Sequence, residues 1–84
     1  MSLKHSERYK NIGIKISKYR IKRGLTQEQL ANKVGISYSY LTQIEAPKGV
    51  KKMSLEVLFD IADELKIDVK DLLWKELTYY IIVN

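Results

Sequence analysis

The stretch "ISYSYLTQIE", residues 36–45, carries Ser37, Tyr38, Ser39, Thr42 and Gln43. All five side chains form hydrogen bonds and none is charged, in a chain with 15 Lys and Arg. At about 100° per residue on a helix, Leu41 and Ile44 share one side, with Tyr40 and Glu45 flanking it. Ser39, Thr42 and Gln43 fall opposite, and Tyr38 sits at the side of the first turn. Neutral donors and acceptors of this kind suit base edges in the major groove of duplex DNA. A glutamine pairs bidentately with adenine, and Ser or Thr bonds several bases or meets a thymine methyl. Positive side chains lie in other segments, where they would hold phosphates whatever the sequence. Lys48, Lys51 and Lys52 follow this stretch directly, and Lys10 lies near the start of the first helix. These four lysines are the expected backbone contacts.

Other chemistries find little to work with. There is no cysteine and one histidine, His5, in a polar N-terminal run. Nucleophilic triads of the common kinds are therefore missing, as are the common zinc sites. Asp60, Asp63, Glu64, Asp68 and Asp71 lie on outer faces or at helix caps, a poor arrangement for a cation. The expectation is a protein that is not an enzyme and holds neither metal nor cofactor.

Charge divides the chain. Residues 1–53 hold twelve Lys and Arg against three Glu, a net +9. Residues 54–84 hold three Lys against seven Asp and Glu, a net −4. A basic first part points to a polyanion. The longest apolar run, Tyr79 to Val83, is far too short to span a bilayer, and no secretory pattern precedes it. A cytoplasmic protein without a membrane partner is expected.

The elements that must position these residues are short helices. From Tyr9, the spacing of Ile12, Ile16 and Tyr19 predicts a first helix ending near Arg23. Gly24 suits the left-handed residue beyond it, with Leu25 packing back. Thr26 caps a second helix and Gln29 completes a capping box. Its inner face is Leu30, Ala31 and Val34; Gly35 ends it, and Ile36 plugs the turn. Ser37 caps the third helix. After the loop "APKGVKK", Ser54 caps a fourth, with Leu55, Leu58, Ile61, Ala62 and Leu65 inward. Asp68 caps a fifth through Leu72, Leu73 and Leu77. The fold class expected is all-α: a five-helix domain over residues 9–77, after a flexible segment 1–8 and before an apolar tail 78–84.

Two helices of eight to ten residues persist in water only when packed on each other and on neighbours. A small Ala31 allows a close crossing, and Gly35 allows a turn that a Cβ would strain. This is the physics of a helix-turn-helix. The pattern from "IGIKISKYRIKRGLTQEQLANKVGISYSYLTQIE" to "SLEVLFDIADELKIDVKDLL" resembles the Cro/repressor-like (xenobiotic-response-element) family of helix-turn-helix regulators. The likeness covers about residues 9 to 73 and rests on "GLTQEQLA", "VGIS", "IE" and "SLEVLFDIADELKI" together. The loop "EAPKGVKKMS" departs from it, being longer and lacking a Pro before Ser54. The resemblance implies a lambda-repressor-like fold and a sequence-specific regulator of transcription, most simply a repressor. It implies that Tyr38, Ser39 and Gln43 enter the groove, that Gln27 bonds the DNA backbone, and that Arg20 and Glu45 form a partly buried structural pair. The rival reading is an antitoxin or protein-interaction module of the same fold, with a toxin as partner.

Beyond Leu73 come Trp74, Leu77, Tyr79, Tyr80, Ile81, Ile82 and Val83, more apolar surface than a small finished core needs. The β-prone run at 79–83 favours an extended segment that takes its backbone partners from a second copy. A homodimer is expected, reading a near-palindromic operator with two recognition helices about 34 Å apart.

Overall fold

The computed structural model describes residues 4–47 and 51–73. Helix α1 spans Ser6–Lys22, α2 Gln27–Val34, α3 Tyr38–Glu45 and α4 Leu55–Leu65. A fifth helix, α5, opens at residue 69, and its described part runs to 73. The expectations for Lys48, Trp74, Leu77, Tyr79, Tyr80, Ile81, Ile82 and Val83, and for the tail 78–84, lie outside the described residues.

The α1 start is a correction. It begins at Ser6, not Tyr9, so residues 6–8 lie within the helix. The His5 carbonyl accepts the amides of Arg8 (3.0 Å) and Tyr9 (3.2 Å), which extends the helical ladder. Glu7 in the first turn suits the positive end of the helix.

Local chemistry sets the other boundaries. Thr26 and Gln29 form the reciprocal capping box: each side chain takes up the other's backbone amide, at 3.0 and 2.9 Å. Ser37 and Ser54 accept the amides of Tyr40 and Val57. Asp68 accepts the Lys70 amide, and Asp71 accepts the Asp68 amide, so α5 also begins in a two-way cap. At the C-termini, Gly24 (φ +73°) and Gly35 (φ +84°) take the left-handed conformation. The Leu25 amide then reaches back to the Arg20 carbonyl, and the Ile36 amide to that of Ala31. Helix α4 ends in the same way without a glycine: Lys66 stands at φ 58°, and the Ile67 amide returns to the Ala62 carbonyl. Arg23, just beyond α1, donates to the Leu65 and Lys66 carbonyls at 2.8 and 3.2 Å. The two helix ends are thereby tied together.

The core gathers Ile12 and Ile16 from α1, Leu30 and Ala31 from α2, Leu41 and Ile44 from α3, Leu58, Ile61, Ala62 and Leu65 from α4, and Leu72 from α5. Each fully buried Leu or Ile contributes about 1.5–3 kcal/mol of transfer free energy. Met53 joins them, although it lies in the lysine loop. Leu55 does not: it is 62% exposed, against the expected inward position. It opens the first turn of α4 and, with Leu73, lines an open groove. Gly13, on the inner face of α1, is the point of closest approach to α3. A Cβ there would collide with the Ile44 carbonyl oxygen, with the carbonyl carbon only 3.1 Å away.

Candidate nucleic-acid interface

Helix α3 is held from behind. Leu41 and Ile44 are buried beneath it, and Gly13 lets α1 approach its last turn. At its C-terminal end, Glu45 is the one buried charged or polar residue among the described residues. Its carboxylate accepts from Arg20 Nε at 3.1 and 2.9 Å and from Nη2 at 2.9 Å. The pair is almost dry, with side chains 12% and 3% exposed. Arg20 Nη1 donates to the Leu25 carbonyl at 2.7 Å, and Gln27 Nε2 donates to Glu45 Oε1 at 3.1 Å. One carboxylate thus joins α1, the turn after it, the start of α2 and the end of α3. The Arg20–Glu45 contact agrees with what the resemblance implied. Gln27 as a second donor was not read from the sequence; nothing in the spacing of residues 27 and 45 marks them as neighbours.

The opposite face of α3 is open. Ser37, Ser39 and Gln43 are exposed, Tyr38 is 55% exposed, and Thr42 is half-buried. Ser37 is the N-cap, and its oxygen holds the Tyr40 amide at 3.0 Å. Gln43 Nε2 donates to Ser39 Oγ at 3.2 Å, one turn away. That bond uses one N–H of an exposed amide and leaves its oxygen and second N–H without a partner in this contact. Those two groups form the bidentate pair that adenine N6 and N7 require. The Thr42 hydroxyl donates to the Ser39 carbonyl at 2.8 Å, so its proton is spent on the helix backbone and its oxygen can act only as an acceptor.

The lysines divide. Lys51 Nζ lies over the Tyr40 ring, 5.4 Å from its centroid, which brings the end of the loop against α3. Such a contact leaves most of the ammonium hydration intact at a surface site. Lys52 is exposed, and Lys10 is half-buried on the first turns of α1. Gln27 stands at the first residue of α2 with one N–H spent on Glu45.

Helix α2, the tight turn at Gly35 and α3 all lie within a segment that a known family shares. The helix-turn-helix family model spans residues 16–72. The chain belongs to the helix-turn-helix family. Its members include DNA-binding regulators of transcription, and this chain is one of them. No curated protein sequence matches it. Among solved helix-turn-helix structures, the restriction-modification controller protein C.AhdI from Aeromonas hydrophila superposes with a TM-score of 0.70 at 28% identity. That match covers 76% of this chain and 94% of the controller. SinR, the master regulator for biofilm formation, solved in complex with DNA, is 34% identical with a TM-score of 0.68. It covers 74% of this chain and 97% of the SinR chain. The clp gene regulator ClgR from Corynebacterium glutamicum, at 24% identity and TM-score 0.75, shares the fold over 89% of this chain and 78% of its own. No described helix is long and apolar enough to cross a membrane.

Proposed function

We propose that this regulator reads duplex DNA with the outer face of α3, Gln43 and Ser39 at its centre, and represses transcription from the site it occupies. The observation that carries this reading is the exposed, uncharged face of α3, on which Gln43 and Ser39 are joined by a hydrogen bond one turn apart. Tyr38 and Thr42 contact bases beside them, and Ser37 serves chiefly as the cap that starts the helix. Lys10, Lys48, Lys51 and Lys52 hold phosphates, and so does Gln27 through the amide N–H not given to Glu45. SinR, the DNA-bound relative, supports the placement of the chain among DNA readers.

The regulator works as a homodimer whose seam uses α5 and residues 78–83. Leu73, the last described residue, supports this: with the exposed Leu55 and with Met53 it lines an apolar groove of about 310 Å³, and the strongly apolar sequence continues from it. The protein resides in the cytoplasm with its DNA.

Selection of bound sequences from random duplex DNA tests the central claim. A recurrent near-palindrome is the expected product. Gln43→Ala should then weaken binding to that site by about 1–3 kcal/mol and relax one base position per half-site. Equal loss on random DNA, read by gel shift, would show that Gln43 does not read sequence.

A further inference from the structure

The described residues expose five large apolar side chains: Ile14, Ile21, Tyr38, Leu55 and Phe59. Tyr38 belongs to the reading helix and Leu55 to the groove beside Leu73. The remaining three form two faces of opposite charge. Ile14 and Ile21 stand two turns apart on the solvent side of α1, 48% and 64% exposed, with the exposed Lys18 between them and Lys22 one turn beyond Lys18. Phe59, 48% exposed, lines a depression of about 440 Å³ whose other walls are Ala62, Asp63, Ile67, Asp68 and Val69. Glu56, exposed on α4 one turn before Phe59, adds a third carboxylate to the same side of that helix.

We infer that the α1 face of one copy docks into the α4–α5 depression of a second copy, so that neighbouring copies associate head to tail. An isoleucine side chain meets Phe59 at the mouth of a largely polar depression, and Lys18 and Lys22 meet Asp63 and Asp68 in its walls and Glu56 beside it on α4. Charge selects this pairing over the symmetric ones. Two α1 faces would set lysine against lysine, and two depressions carboxylate against carboxylate, juxtapositions that interfaces avoid. The contact is heterologous: it uses two different patches, so it does not close on itself, and it extends in one direction. It is also small, with few apolar side chains and a charged rim, far below a stable interface. It therefore acts only where the copies are already held side by side, which a shared duplex does by raising their effective concentration. The inference rests on the DNA-binding reading for that setting, and it assigns the regulator cooperative occupation of adjacent sites.

The probes are duplexes carrying one or two copies of the selected sequence, the two set about one to three helical turns apart. Coupling is read as the affinity for the second site relative to the single site, so a uniform change in DNA affinity cancels. We expect a coupling of roughly tenfold at a favourable spacing, within the ordinary range for linked sites. Lys18→Glu with Lys22→Glu should abolish it, and so should Glu56→Lys with Asp63→Lys. The chain carrying all four substitutions should regain it. Melting curves confirm that each variant folds, and the fourfold variant keeps the test decisive if one pair loosens a helix. Absence of coupling in the unaltered protein at every spacing would overturn the inference, as would coupling that survives either reversal or fails to return in the fourfold variant. Loss of single-site binding by the unaltered protein would instead overturn the DNA-binding reading.

Discussion

Glu45 shows what one residue decides. A carboxylate 3% exposed is tolerable only because Arg20 brings two nitrogens to it and Gln27 a third. Truncating a buried pair is costly, because the remaining charge stays desolvated. Glu45→Gln should therefore lower stability by about 3 kcal/mol. Glu28→Gln, on an exposed position of the first turn of α2, should change it by less than about 1 kcal/mol. Urea unfolding of the two variants checks this, and equal midpoints would reduce the Arg20–Glu45 contact to a surface pair. The pair itself was legible through the resemblance. Gln27 was not, because its role depends on where α2 starts relative to the end of α3, and no spacing rule contains that distance.

Among the elements, α1 and α4 carry the informative exceptions. Gly13 costs α1 about 1 kcal/mol of helix propensity relative to alanine. The Ile44 backbone leaves no room for a Cβ, so the close α1–α3 packing is what retains it. Gly13→Ala should destabilise by about 1–3 kcal/mol despite the gain in propensity, because backbone must move to admit the methyl group. A thermal melt reads the sign directly; a rise in midpoint would show that the helices part without cost. Lys66 is the reverse case. It closes α4 in the left-handed conformation, φ 58°, where α1 and α2 use glycine. A side chain there costs about 1 kcal/mol, so Lys66→Gly should stabilise by roughly 0.5–1 kcal/mol. A lower urea midpoint for this variant would mean that the lysine side chain contributes more than its backbone loses. The cap at Gly24 was readable from sequence, since glycine advertises the conformation. The one at Lys66 was not, because lysine gives no such sign and the C-terminus of α4 is held by Arg23 from 42 residues away.

For the whole molecule, the seam of the proposed dimer is the open question that sedimentation answers. Full-length chain at micromolar concentration should run as a dimer, and a chain lacking residues 78–84 as a monomer with weaker binding to the palindrome. A full-length chain that stays monomeric would end the proposal.

The sequence by itself determined the family, the order of the helices and every described cap written in Ser, Thr, Asp or Gly, but not the first turn of α1 or the cap at Lys66. Those features are written in local chemistry: apolar spacing close to the helical repeat, Ser and Thr at starts, glycine at two ends. It also separated the neutral face of α3 from the lysines, because a face is a property of one helix. What only the tertiary structure decided are the joints between helices. The close contact at Gly13 that leaves no room for a methyl group, the burial of Met53 within a lysine loop, the exposure of Leu55 at the head of α4 and the third donor to Glu45 all depend on how two elements meet. Periodicity says which side of a helix is apolar. Only packing says where the neighbour ends, and thus whether a residue on that side is covered.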